Sequence, residues 1–538
     1  MNETSPYDTY LSPLATRNAS PEMLRIWSPR HKFSLWRKIW LAVAEAQHEL
    51  GLPVSAEQVA ELRANLEVTD EDIRLAEKYE RELRHDVMSH VHAWGDRCPK
   101  ARGIIHLGMT SQDINDNAEL LLLFDATRLI TTKMERVLVA LGGQAAAHAA
   151  IPTLAFTHYQ AAQPVTVGRR FAHWASDLHE TLVGVVGDDP SDMPRLRGFR
   201  GATGTQASYL QLFSGDSAQV LAFEARAIWN LLEHLGHEEG TYDDHAGAMQ
   251  EAAAMLGSMG EDLMDDLDAE DREQARLRLR EGFAGMGSHE GYLRMRTFDV
   301  MGQTYPRVYD AMLLSKLAAV AAVLHKIATD IRLLSNRKEI DEPVGDKQIG
   351  SSAMPYKQNP MRCERICGLS RFVMNLVGNA YDTAATQWLE RTLDDSSNRR
   401  LSLPEAFLAL DGALDLMHNV ASGLVVHEAT VRKNLMAELP FMATENIMME
   451  AVKLGRDRQD VHEAIRRHSR AAGFRVKQEG AENDLIERLK GEPLLEGVDI
   501  EGQLDPMLYV GRSVEQTERF LKEVIEPLRE RCADAGRA

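Results

Sequence analysis

The stretch "LWRKIWLAVAEAQHEL" (35–50) decides the class of fold. Its Leu35, Ile39, Val43 and Ala46 recur near the 3.6-residue period of an α-helix; Ser34 stands where an N-cap belongs, and Gly51 and Pro53 follow as stops. Just beyond it, "SAEQ" (55–58) has the form of a capping box that opens a second helix. Long, weakly interrupted helical patterns continue at 69–94, 115–149, 164–187, 307–336, 361–388 and 403–421, while alternating strand patterns are scarce. The pattern predicts an all-α chain of long, bundled helices.

Bulk composition narrows the functional classes. A chain of 538 residues is too long for a single compact core. Its net charge of −20 argues against a general nucleic-acid binder. The same charge repels an anionic substrate, so any such substrate needs a local cluster of arginines. The most apolar stretch, "LLSKLAAVAAVLHKIA" (313–328), is interrupted by Lys316, His325 and Lys326 and reads as a buried helix with no membrane role. The N-terminal segment is polar, with no apolar core of a signal peptide, and four cysteines make no disulfide framework. A cytoplasmic protein with reduced thiols is the expectation. Cys363 and Cys367 lack His or Cys partners at finger-like spacing, and the His-rich "HDVMSHVH" (85–92) matches no ligand signature, so no metal is expected.

Against the helices, several loops stand out: 106–116, 156–164, 197–208, 345–360 and 390–400. Loops held on a rigid scaffold are where binding and catalytic groups concentrate. "GSSAMPYKQNP" (350–360) is the most unusual of them. Gly350 frees the backbone to move or to adopt positive φ, and Pro355 and Pro360 exclude regular helix. Lys357 and Asn359 add a cation and an amide donor, and a serine in that field loses its proton more easily than in water. The segment 236–290 is foreign to the helical plan: it is dense in acids and in Gly, Ala and Met, then turns to "ARLRLRE". It reads as a solvated surface excursion.

"GSSAMPYKQNP" resembles the signature of the fumarase/aspartase superfamily, homotetrameric all-α lyases that eliminate fumarate from a succinyl group. "ERTLDDSSNRR" (390–400), "RHDVMSHVH" (84–92), "GIIHLGMTSQD" (103–113), "FTHYQ" (156–160) and "KQEGAENDLIER" (477–488) narrow the resemblance to the adenylosuccinate lyases, in their animal-type form. It implies three domains: 1–111; 112–426, with the acidic insertion at about 228–296 and the signature loop 345–360; and 427–538. It implies an anti β-elimination of fumarate from adenylosuccinate to give AMP, and from SAICAR to give AICAR, in purine nucleotide biosynthesis. No cofactor is implied, and each active site is shared among three subunits of a homotetramer.

Carried over position by position, the resemblance makes Ser351 the general base and His158 the general acid, with Glu364 orienting the histidine. Lys357 and Asn359, with Ser352 nearby, stabilise the carbanion as an aci-carboxylate, an oxyanion-type stabilisation. The arginine cluster that the charge demands is implied at Arg17, Arg84, Arg365, Arg391 and Arg400, with Ser396 alongside; guanidinium forks suit phosphate and carboxylate. His85 and Asp86 are implied nucleotide contacts, Thr110 and Ser111 succinyl contacts, and Thr157 and Gln303 further substrate contacts.

Three features depart from the family pattern: Asn18 stands where the family has tyrosine, "QAAQP" stands for "QPAQ" after the histidine, and the acidic excursion is extra. Two alternatives stay open. Another fumarate-releasing lyase of the argininosuccinate lyase kind has no use for the arginine pair of "ERTLDDSSNRR". A non-catalytic scaffold reusing the fold has no use for Ser351, His158, Lys357 and Asn359 together.

Overall fold

A computed structural model describes residues 8–186, 195–236, 293, 296–345 and 347–534; the acidic excursion from 237 to 292 lies outside them. The described chain is built from α-helices, with two short two-stranded sheets. It divides into two compact units. Unit 1 comprises 1–129, 188–315 and 376–408, and unit 2 comprises 130–187, 316–375 and 409–538.

In unit 1, α1 (Pro21–Ile26) and α2 (Pro29–Glu49) open the chain, followed by α3 (Ala56–Ala64), α4 (Asp70–Leu83) and α5 (Asp86–Arg97). α2 begins earlier than its apolar period suggests. Ser28 is the N-cap, accepting from the His31 N–H at 3.3 Å, and Pro29 occupies the first helical position, as proline prefers. Ser34 lies inside the helix, where its hydroxyl donates back to the Arg30 carbonyl at 2.8 Å. The expected capping box at Ser55 and Gln58 forms. α2 packs against α9 (Ser217–His234), and Trp36, Ile39, Trp40 and Val43 join Trp94, Phe223 and Ile228 in one buried core.

The continuous helical pattern at 69–94 breaks in two. Arg84 takes the left-handed conformation at φ 54°, ending α4, and His85 caps α5. The interruption presents Arg84, His85 and Asp86 at a helix junction.

Unit 1 also takes the first part of α6 (Ser111–Ala147), α8 (Ala207–Leu212) and the first residues of α10 (Val308–Asn336). The end of α11 (Met361–Ala385) and the start of α12 (Asp395–Gly423) complete it. The second half of "HLGMTSQDIND" is thus the first turn of α6, and the second half of "ERTLDDSSNRR" the first turns of α12.

Unit 2 takes the remainders of those long helices, α7 (Val167–Val186) and the C-terminal helices from α13 (Glu428–Met442) onward. These include α14 (Thr444–Lys453), α15 (Arg458–Phe474), α16 (Leu485–Lys490), α17 (Ser513–Phe520) and α18 (Glu526–Asp534). Ile447, Ala451, Val461, Leu485 and Leu489 form their shared core. Within α10, Leu317, Val320, Ala321, Leu324, Ile327 and Ile331 are buried, so the apolar run at 313–328 packs inside the protein.

The segment 156–164 is not the loop that its polar residues suggest. β1 (Pro152–Thr157) and β2 (Gln160–Thr166) form an antiparallel hairpin in which Thr157 faces Gln160. His158 and Tyr159 are its two-residue turn, at φ 52° and 56°. Positive φ at both central residues matches the right-handed twist of paired strands, and such turns normally carry Asn or Gly. A histidine and a tyrosine held there cost conformational energy, as residues at functional sites often do.

Candidate active site

The predicted substrate-binding residues other than Thr157, Ser352 and Arg365 belong to unit 1, and these three belong with the predicted catalytic residues to unit 2. In unit 1 the organising group is Asp113, fully buried in the first turn of α6. One carboxylate oxygen accepts from the Thr110 N–H at 2.7 Å and so fixes the approach to α6. The other accepts from the Arg200 and Gly201 N–H groups at 3.0 and 3.2 Å and pairs with the buried Arg197 guanidinium. Arg197 also donates from Nε to the Gln303 carbonyl at 2.9 Å and from Nη2 to the Gly201 carbonyl at 2.9 Å. One buried ion pair thereby ties together the Thr110–Ser111 turn, the 197–204 loop and the segment bearing Gln303.

Gln303 and Arg391 lie side by side in the wall of a cavity of about 540 Å³, which Trp388, Leu389 and Leu393 help to line. Arg391 donates from Nη1 to Gln303 Oε1 at 2.9 Å and from Nη2 to Ser396 Oγ at 3.2 Å. Among the described residues its buried Nε has no hydrogen-bond partner, which leaves a donor for a ligand. The close approach depends on Gly302, where a Cβ would meet the Glu390 carbonyl oxygen. The Gln303 N–H donates to that same carbonyl at 3.0 Å.

The first turns of α12 divide the charges of "ERTLDDSSNRR" between two faces. Asp395 and Arg399, one turn apart, are buried. Asp395 accepts from Arg307 at 2.8 Å, and Arg307 reaches Asp116 at 3.1 Å. Arg399 pairs with Glu119 and Asp310, each at 2.7 Å, and donates to the Tyr305 hydroxyl. Burial works against the charge on Arg307, yet Asp116 and its neighbours hold its pKa above the ordinary value. Sequence reasoning missed this network, along with Asp113 and Arg197. The one available signal was the four-residue spacing of Asp395 and Arg399.

Arg400, next along the helix, is exposed and donates from Nη2 to Asp86 at 2.8 Å. Burial raises the Asp86 pKa, but the Val87 N–H, Arg400 and Lys32 outweigh it and keep the carboxyl ionised below its usual range. His85 completes the junction, its Nε2 lying 3.4 Å from Ser111 Oγ. Lys32, unmarked in the sequence, belongs to this charge cluster: burial lowers its pKa, with Glu119 opposing. Arg84 and Arg17 are exposed. Beside Arg17, Asn18 turns its amide to the Pro13 carbonyl at 2.8 Å and so serves the local turn.

In unit 2 the signature loop closes on itself. Asn359 donates from Nδ2 to the Gly350 carbonyl at 2.9 Å, joining the loop's ends. Gly350 serves close approach here: it is not in the positive-φ region, but a Cβ on it would meet the Lys357 carbonyl oxygen. Ser351 Oγ accepts from the Met354 N–H at 3.1 Å, while Ser352 and Lys357 are exposed. Thr157 and His158 are exposed at the hairpin tip. Glu364 and Arg365 are exposed on the first turn of α11. The expected pairing of Glu364 with His158 does not occur within the chain. Glu364 instead lies 4.0 Å from Arg332, because it sits on α11 beside α10.

These features agree with what the chain is similar to. A family model described as "Lyase" matches residues 15–184 and 286–375, and one described as "Adenylosuccinate lyase C-terminus" matches 440–520. The adenylosuccinate lyase of Schizosaccharomyces pombe is 42% identical over 526 residues, covering 97% of this chain and 96% of its own. That of Saccharomyces cerevisiae is 41% identical over 520 residues, covering 96% and 95%. Among solved structures, the 3-carboxy-cis,cis-muconate lactonizing enzyme of Pseudomonas putida superposes with a TM-score of 0.71 over 96% of this chain and 99% of its own. At 22% identity it shares the fold. The chain belongs to the adenylosuccinate lyases, within the fumarase/aspartase superfamily.

Proposed function

We propose that this carbon–nitrogen lyase cleaves adenylosuccinate to AMP and fumarate, and SAICAR to AICAR and fumarate. The observation that carries the reading is the pairing of Arg391 with Gln303 and Ser396 in one unit with the Arg400–Asp86 bridge. In a chain of net charge −20, this sets the Arg391 guanidinium on a cavity wall and the Arg400 guanidinium on the exposed face of the same helix start, where a phosphate and two carboxylates need cations.

In the proposed mechanism Ser351 removes a proton from the succinyl carbon next to the carboxylate, and the electron pair is held in the aci-carboxylate. Lys357 donates to that developing charge. Asn359, whose amide holds the loop ends together, donates once the loop re-forms around the substrate. The electron pair then forms the double bond of fumarate as the carbon–nitrogen bond breaks, and His158 gives its proton to the departing nitrogen. Each acid–base group contributes on the order of 10²–10⁴-fold.

The exposure of His158, of the signature loop and of Glu364 supports a shared site in which other copies of the chain supply the facing groups. The proposed assembly is a homotetramer with three chains contributing to each site, built from the three domains that the resemblance implies. A cytoplasmic location is part of the same proposal.

Spectrophotometric assay with adenylosuccinate and with argininosuccinate tests the reading. Turnover of adenylosuccinate alone is expected, and turnover of argininosuccinate alone would overturn it.

A further inference from the structure

Unit 2 contains a cavity of about 670 Å³ with no part in the chemistry above, walled by the β1–β2 hairpin, α7, α10 and the start of α17. That volume lies in the ~300–1,000 Å³ range of small-molecule sites. Its lining carries five fixed cations, Arg169, Arg170, Lys326, Arg337 and Arg512, against one carboxylate, Asp330. In a chain of net charge −20 this is a local reversal of sign.

Some of these cations have partners. Lys326 lies 3.0 Å from Asp330, Arg337 donates to Glu339 at 2.9 Å, and Arg169 donates to Gln516 at 2.7 Å. Two are less satisfied. Arg170 donates from Nη2 to the Leu154 carbonyl, but its buried Nη1 has no hydrogen-bond partner among the described residues. Burial pushes the Arg170 pKa down, with Glu339 and Asp330 opposing. Arg512 is exposed just before α17. A buried guanidinium N–H without an acceptor is costly, and an entering anion removes that cost.

The remaining wall is aromatic. Phe156, with the Arg337 guanidinium 4.6 Å from its ring centroid, lines the cavity together with Tyr159 and Trp174. Flat apolar faces beside guanidinium groups suit a planar ring attached to an anion.

We propose that this cavity is a second ligand site that takes a phosphate-bearing planar heterocycle of the nucleoside monophosphate class, its anion on the arginines and its ring on the aromatic wall. Tyr159 lines the cavity and adjoins His158 in the hairpin turn, so occupancy alters the turn that carries the histidine. This second effect rests on the reading of His158 as the general acid; binding itself does not.

Equilibrium dialysis of the full-length assembled protein against labelled AMP tests the proposal, with Arg170→Met and Arg512→Ala as variants. Arg512 is exposed, so its variant folds even where the buried substitution does not. Wild type is expected to bind two AMP per chain, and each folded variant one, with the lost site weakened at least tenfold. If the lyase reading fails but the cavity reading holds, wild type binds one AMP and the variants none. Equal stoichiometry and affinity in wild type and variants would overturn the site. Ribose 5-phosphate is expected to bind the variant-sensitive site at least tenfold more weakly than AMP. Equal affinity would overturn the role of the aromatic wall.

Discussion

Arg400 on α12 donates to the Asp86 carboxylate at 2.8 Å and joins two motifs 314 residues apart in the chain. Its neighbour Arg399 turns the other way, into a buried network with Glu119, Asp310 and Tyr305. Two adjacent arginines therefore do different work, one at the exposed Asp86 junction and one in the buried scaffold.

For Arg400, the expectation is a binding defect. The pair is partly exposed, so its loss barely changes stability. Arg400→Met should raise KM for adenylosuccinate about tenfold or more, as loss of a charge-assisted bond to an anion does. Thermal unfolding should stay within ~1 °C of wild type, a shift below 1 kcal/mol in a chain of this size. A normal KM would remove Arg400 from the substrate site.

Arg399 should behave in the opposite way. Arg399→Met leaves Glu119 and Asp310 without their cation, and stranding buried charge costs about 3–5 kcal/mol. Denaturant unfolding should show that loss. Unchanged stability would mean that the network is dispensable.

Ser351→Ala and His158→Ala should each lower kcat by ~10² or more, with helical circular dichroism unchanged. Because His158 is exposed at the hairpin tip and Ser351 half-buried in an otherwise exposed loop, mixing the two inactive variants under subunit-exchanging conditions should restore part of the activity. No recovery would argue that one chain supplies both groups to a site.

Gly350→Ala places a methyl group against the Lys357 carbonyl, where the ends of the signature loop cross. The expected result is a kcat loss of about tenfold with the unfolding midpoint retained, since the strain falls on an exposed loop. Wild-type kcat would show that the loop works without this closure.

Two histidines of unit 1 make stability depend on pH. Burial lowers the pKa of His90 and of His106 from 6.5 to about 4. His90 lies against Phe33 and Trp36, and His106 Nδ1 accepts from Trp40 Nε1 at 3.2 Å, a bond that requires the neutral ring. Between pH 4 and 6.5 the unfolded chain holds protons that the folded chain lacks, so stability rises with pH across that window. Each histidine contributes up to about 3 kcal/mol, and the penalty is complete below the folded pKa. His106→Gln should flatten the change in urea midpoint between pH 4.5 and 7. An unaltered slope would assign the pH dependence to other groups.

Local patterns carried much of the architecture. The 3.6-residue recurrence in 35–50, the Ser55–Gln58 capping box and the long helical patterns are near-neighbour properties, and helices form over most of them, with 69–94 split at Arg84 and 164–166 taken by β2. The signature loop was legible because glycine, prolines and a lysine crowd into eleven residues. Less legible was the hairpin at 152–166: its strands pair across a turn of His158 and Tyr159, which carries none of the usual turn residues. The start of α2 was also misplaced, since Ser28 and Ser34 are equally good caps by type and Pro29 decides between them.

The amino-acid sequence by itself determined the helical class, the family and the residue types available for acid–base chemistry and anion binding. The tertiary structure decided which of those residues are buried in the scaffold and which stay exposed. Asp113 and Arg197 have no mark in the sequence, yet buried together they hold three loops in place. Arg399 and Arg400 are identical in type and adjacent, and only the helix phase and the carboxylates packed beneath separate them. Burial and long-range pairing depend on what the fold brings close, and no local pattern encodes that.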